Sequence, residues 1–289
     1  MPDTPVDRSN LPVASIENDD LRLDYLTTLG PRIIGLYAKG VEGNLFAETP
    51  DQHWPTPHGE YYLHGGHRLL TAPEDPFYTV PEGNVSILSE TSKITLQSSV
   101  DTSGLEKEIS FQLVRNRVAL SHKITWHGNE PIQLAPWAIT QVRFGGMAIL
   151  PFSHTDSGLL PNRNLVLWPY SRLTDERLEL HDDLILLHGR ASDEACKVGN
   201  YNPCGWIAYA AGTVLFIKRF NVDESNRYPD MGCNVEAYVK NSCLELETLG
   251  VLKVLEPHAS VTYEENWEVL VGEYPVTLET ARTIRKKLS

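Results

Sequence analysis

Two stretches of this sequence gather side chains able to move protons or hold hydroxyl groups. The first, YYLHGGHRLLTAPE, covers residues 61–74. Its Gly65–Gly66 pair permits a tight turn and a close approach of backbone to ligand. His64, His67 and Arg68 flank the pair. Two imidazoles and a guanidinium so placed suit hydroxyl recognition or acid–base work; a polar surface turn would show the same residues. The second stretch, LELETLG, covers residues 244–250. In a strand, Glu245 and Glu247 share one face while Leu244 and Leu246 point to the core. In CNVEAYV, Asn234, Glu236 and Tyr238 likewise share a face. If these two strands pair, three carboxyls crowd one sheet surface. Like charges in a cleft raise carboxyl pKa values toward those of a general base. A solvated outer face is the competing reading, and it is favoured for Glu245.

Other polar residues lie between these stretches. Lys218 and Arg219 are adjacent, so in a strand only one of them enters a groove. Asp230 follows a proline and Glu74 closes the first stretch. Glu74 is placed to orient His67 or Arg68. Arg32 reads either as a groove residue or as the buried partner of a carboxylate. Trp137 offers an apolar platform for a ligand ring or, more commonly for tryptophan, core packing. Trp126, Trp206 and Trp267 alternate with apolar neighbours and read as core, whereas Trp54 and Trp168 fall in loop-like segments that can rim a cleft. His53, His58, His64 and His67 fall within fifteen residues. Their intervals of five, six and three match no zinc pattern, so no metal is expected, and nothing else in the sequence demands a cofactor. Cys196, Cys204, Cys233 and Cys243 contain no C-x-x-C and read as free thiols in a reducing compartment.

The elements that must position these residues are strands. LRLDYL (21–26), RIIGLYA (32–38), VSILSE (85–90), KITLQSSV (93–100) and LEKEISFQLV (105–114) alternate or are β-branched. So do RVALSHKITWH (117–127), PIQLAPWAITQV (131–142), WIAYAA (206–211), TVLFIKRF (213–220), NVEAYV (234–239), CLELETL (243–249) and SVTYEENWEVL (260–270). Arg115–Asn116 reads as a hairpin turn, and TLETARTIRKKLS as a short terminal helix. Many strands with few helices predict an all-β fold, a sandwich or barrel. No composition break calls for a second domain across residues 1–289; residues 1–20 read as an N-terminal extension and 151–205 as a loop-rich insertion over one end of the sheets.

A formal net charge of −13 argues against nucleic acid and against anionic membrane surfaces. The first twenty residues hold no apolar run and do not form a secretion signal, so a cytoplasmic location is the simplest expectation. The sequence leaves monomer and homodimer open.

In this order, the pieces resemble the galactose mutarotase (aldose 1-epimerase) superfamily. Leu63-His64-Gly65-Gly66 is similar to its L-H-G-G motif, and Leu246-Glu247-Thr248 to its L-E-T motif. GPRIIGL (30–36) is similar to an early strand, and LETLGVLKVLEPHASVTYEENWEVL to the final ones. The match spans roughly Leu21 to Leu270 and is closest to an uncharacterised branch with G-G-H-R-L, A-P-E and A-P-W motifs. The resemblance implies a large antiparallel β-sandwich, the mutarotase-like supersandwich, and a small-molecule carbohydrate as partner. It implies Glu247 as base and His64 as the residue that holds or protonates the sugar during ring opening. His67, Arg68, Arg32, Trp137, Lys218, Asp230 and Glu236 then become groove candidates. One departure matters: the segment matching the family's usual acid histidine reads PIQLAPWAITQV, with Trp137 in the histidine's place. Either His64 or His67 takes over as acid, or the epimerase reaction is lost. The leading expectation is an isomerase of aldose 1-epimerase type. Its competitors are a carbohydrate-binding protein without catalysis and a lyase or hydrolase using the same groove, with Arg68 or Lys218 as the cation that a lyase needs.

Overall fold

The computed structural model describes residues 11–90 and 92–288. Over these residues the chain is antiparallel β-structure in two large sheets, with one helix at Leu278–Leu288. The first sheet runs in the order Val13–Glu17, Leu21–Leu26, Arg32–Ala38, Gly59–Ala72, Ile132–Val142, Cys243–Leu249, Val235–Lys240, Cys196–Asn200 and Val166–Leu167. Glu48–Thr56 pairs with Gly59–Ala72, and Lys253–Leu255 with Ile132–Val142. The second sheet centres on Trp206–Phe220, Ser260–Tyr274, Arg117–Trp126 and Leu105–Val114. The expected β-sandwich is therefore the fold observed.

Alternation explains the core. Leu23, Ile33, Leu244 and Leu246 of the first sheet meet Ile109, Phe111, Val118 and Phe216 of the second. Phe46 stands edge-on to Phe216 and Trp267, with ring centroids 6.1 and 5.8 Å away. The far face of the second sheet is closed by the helix, whose Ala281 and Ile284 pack on Ile149, Leu186, Trp206 and Ile217. Thr277 caps that helix by accepting from the Thr280 amide at 3.2 Å. Trp206 and Trp267 are fully buried and Trp126 nearly so, as the alternation predicts.

Four expectations change. Gly65–Gly66 is not a turn but an irregularity inside the strand Gly59–Ala72. His64, Gly65 and Gly66 have φ of 54°, 89° and 73° in succession. The extra residue shifts the alternation, so Tyr61 and Leu63 before it share a face with Arg68 and Leu70 after it. A Cβ on Gly65 would lie 1.9 Å from the Ala47 carbonyl oxygen, and one on Gly66 2.2 Å from that of Ile33. The glycines serve backbone-to-backbone packing, not approach to a ligand. The expected N-terminal extension contributes an edge strand, Val13–Glu17, and its first ten residues lie outside those described. Residues 151–205 lengthen both sheets rather than covering their ends: Cys196–Asn200 joins the first, and Leu178–Leu180 with Leu184–His188 the second. WIAYAA and TVLFIKRF form a single strand, Trp206–Phe220, irregular between Gly212 and Val214.

Candidate functional site

Register decides what meets on the outer face of the first sheet. Glu247 stands opposite Ile139 on one side and Glu236 on the other. Glu245 stands opposite Gln141 and Tyr238, and Tyr238 opposite Lys197. Arg68 completes the Glu247 row on the far side of Ile139. Leucines between these residues point inward, so the polar ones must point out. Arg68, Gln141, Lys197 and Glu245 floor a groove of about 890 Å³ whose walls include Trp54, Tyr61, Trp137, Tyr170 and Tyr238.

Lys197 is the centre of charge. Its Nζ lies 2.7 Å from Glu236 Oε2 and 2.8 Å from Glu247 Oε2. It also sits 4.5 Å from the ring centroids of both Trp137 and Trp168, a cation–π arrangement on each. Trp137 Nε1 donates to the same Glu247 oxygen at 2.7 Å. Burial works against the Lys197 charge, but Glu236 and Glu247 outweigh it and hold the ammonium well above its usual range. Burial pushes the Glu236 carboxyl up against the pull of Lys197, and it pushes Asp230, hydrogen-bonded to Glu236, up as well. Glu236 and Glu247 are fully buried beneath the groove, whereas Lys197 and Glu245 line it.

Of the carboxyls in this strand row, Glu245 is the one that lines the groove, 8% exposed. It accepts from Gln141 Nε2 at 2.7 Å and from Arg68 Nη2 at 3.2 Å. Burial raises its pKa, with Arg68 opposing.

The structure thus brings together Glu247, Glu236, Asp230, Trp137 and Arg68. It separates the rest. His64 lines a different cavity, of about 310 Å³, with Leu26, Ile34 and Tyr37. Arg32 is fully buried, bound to Glu82, to Tyr61 Oη at 3.0 Å and to the Leu63 and Gly65 carbonyls at 2.8 and 3.0 Å. It is the carboxylate partner that anchors the irregular strand, not a groove residue. His67 and Lys218 lie between the sheets, on the opposite face from Glu247, because the shift at Gly65–Gly66 turns His67 inward. Nor do the four clustered histidines assemble: His53 pairs with Glu60 at 2.8 Å, and His58 bonds Phe77 O and Thr102.

Inside the sandwich His67 joins a second cluster, with His122, Glu265 and Lys218. Among the described residues His67, His122 and Glu265 form a group with ion-ligating atoms within 4.8 Å of one another. Hydrogen bonding accounts for every one of those atoms. The Tyr263 carbonyl can only accept, so His122 Nδ1 donates to it at 3.1 Å. Burial pushes both histidines down, keeping them neutral. His122 Nε2 must then accept from His67 Nε2 at 2.8 Å, and His67 Nδ1 from Thr140 Oγ1 at 2.9 Å. Glu265 takes Thr248, Lys218 at 3.3 Å and Trp267 Nε1 at 2.8 Å. Lys218 also donates to the Ala138 and Leu246 carbonyls at 2.9 and 3.2 Å, tying the second sheet to the first. The cluster is a satisfied polar staple.

Lys197 escaped the sequence reading because it lies in the segment taken for an insertion. The signal existed: in CKVGN, Cys196 and Val198 alternate with Lys197 and enter the core.

No family model and no curated protein matches the sequence. Solved structures do. A protein provisionally described as an aldose 1-epimerase, from Klebsiella pneumoniae, superposes with TM-score 0.57 at 11% identity, over 96% of this chain and 82% of that one. Another so described, from Escherichia coli K12, gives TM-score 0.54 at 13% identity, over 91% of this chain and all of that one. A TPR-domain containing protein from Parabacteroides distasonis gives TM-score 0.62 at 11% identity, over 93% of this chain but 48% of that one. Identities this low establish the galactose mutarotase-like fold and nothing finer.

Proposed function

We propose that this chain binds a small carbohydrate in the groove on the first sheet. The observation that carries the reading is the pairing of aromatic walls with charged hydrogen-bonding groups on one floor: Trp54, Tyr61 and Tyr170 beside Arg68, Lys197 and Glu245. Sugar rings offer apolar faces to stack and hydroxyls to bond, and such a surface answers both. The fold shared with proteins described as aldose 1-epimerases supports it. Titration of the chain with a panel of monosaccharides, followed by tryptophan fluorescence and calorimetry, tests it. Saturable binding of at least one sugar supports the reading; no binding by any of them overturns it.

A second reading, anomer interconversion by acid–base ring opening, has its own observation. Glu245 faces the groove with its pKa raised by burial, closer to exchange near neutral pH than an ordinary carboxyl. In this reading Glu245, not His64, exchanges the proton with the sugar, and Glu247 acts behind Lys197. Polarimetry on freshly dissolved sugars with wild type, Glu245→Gln and Glu247→Gln decides it. Acceleration lost in Glu245→Gln supports catalysis; binding without acceleration leaves a carbohydrate-binding protein.

A further inference from the structure

Arg68 is 5% exposed, lines the groove and spends its guanidinium sparingly. Its one hydrogen-bond partner among the described residues is Glu245, met by Nη2 at 3.2 Å. Nε and Nη1 are buried with no partner. Buried donors are nearly always satisfied in folded proteins, so unanswered ones on a guanidinium at the floor of a groove mark a function. Arg32, its neighbour across the strands, differs in degree: only its Nε lacks a partner, while its two terminal nitrogens bind two carbonyls, a tyrosine and Glu82.

The partner Arg68 does have is replaceable. Glu245 keeps a shorter bond, 2.7 Å, from Gln141. It also lies beside Glu247, which opposes its charge, and burial already raises its pKa. An oxyanion arriving in the groove can take Arg68 from Glu245, which then holds Gln141 and gains a proton. Lys240 also lines the groove, together with Lys197, which is already paired with Glu236 and Glu247, and with Asp51 and Glu74.

We infer that the groove's ligand is an acidic sugar, bearing a carboxylate or phosphate, and that Arg68 is the residue that receives its oxyanion. The inference rests on the carbohydrate reading and narrows it. Planar guanidinium matches either oxyanion, so carboxylate and phosphate are separated by experiment.

Calorimetric titration of the full chain with glucose, glucuronate and glucose 6-phosphate, and with galactose and galacturonate, tests it without any variant. An acidic sugar is expected to bind at least about tenfold more tightly than its neutral parent. Which of glucuronate and glucose 6-phosphate gains the more names the oxyanion. Arg68→Lys keeps a charge and should retain part of the preference, whereas Arg68→Gln should abolish it, so that acidic and neutral sugars bind alike whatever the variant does to both. Glu245→Gln, which removes the competing charge, should tighten the acidic sugar. Equal binding of acidic and neutral sugars by wild type overturns the inference and leaves the carbohydrate reading standing; so does equal weakening of both in Arg68→Lys. Binding of neither overturns both.

Discussion

Lys197 and Glu247 stand on strands separated by one other, Val235–Lys240, yet Nζ and Oε2 are 2.8 Å apart beneath the groove. The side chain of Lys197 reaches across that strand, and Glu236 on it accepts from the same nitrogen. Removing one partner of a buried pair strands the other charge. Lys197→Met is therefore expected to cost about 3–5 kcal/mol in urea unfolding, and Glu247→Gln less than the sum when combined with it. A loss under about 1 kcal/mol would mean a solvated pair and would sink the description of a buried centre.

Gly66 and Gly59 separate steric from conformational demands on one strand. Both have positive φ, 73° and 101°, so alanine strains either. At Gly66 the new Cβ would also lie 2.2 Å from the Ile33 carbonyl oxygen, while at Gly59 it would meet nothing within 4 Å. Gly66→Ala should lose about 1–3 kcal/mol more than Gly59→Ala. Equal losses would show that the irregularity does not depend on close packing of the two strands.

The interior histidines give a pH signature. Burial lowers the pKa of His67 and His122 below the ordinary 6.5. The unfolded chain then binds more protons than the folded one, so their contribution to stability is lost as pH falls below that value. Each adds up to about 1.4 kcal/mol per pH unit. Glu236 and Glu245, raised above the ordinary 4.5 by burial, act oppositely, losing stability as pH rises. The readout must therefore be a difference. Between pH 5 and about 6.5 the stability of His122→Gln should fall less steeply toward acid than that of wild type. Parallel slopes in the two proteins would mean that His122 takes up its proton in the fold as it does in the unfolded chain, and would sink the lowered pKa.

How much of this the sequence disclosed follows from where its periodicities run unbroken. Leu244 to Glu247 alternate cleanly, and the structure puts the leucines in the core and the glutamates on the outer face. Glu236 follows from the same rule on the paired strand. The histidines do not, because a period of two fails wherever a strand gains a residue. The Gly65–Gly66 irregularity sends His67 into the core and leaves Arg68 in the groove, and no local feature of LHGGHR separates that outcome from a turn. Lys218 went astray for another reason. Its neighbour Arg219 is half-buried on the opposite face, and the parity rule says only that one of them turns inward. Lys197 lies in a five-residue strand among loops, too short for its pattern to stand out.

Trp54 offers the cleanest separation of binding from folding. It lines the groove, is 41% exposed and leans on Tyr61 with ring centroids 4.9 Å apart. An exposed ring adds little to stability, so Trp54→Ala should leave the unfolding midpoint within about 0.5 kcal/mol of wild type. A sugar stacked on it would lose that face, weakening binding by about 2–10-fold, an effect calorimetry resolves. Trp137→Phe provides the opposite case. It keeps an aromatic ring but removes the donor to Glu247, so stability should fall by about 1–3 kcal/mol for the oxygen deprived of that bond. If Trp54→Ala binds sugars as wild type does, the ligand does not stack at this wall, and the other aromatic residues of the groove must carry the contact.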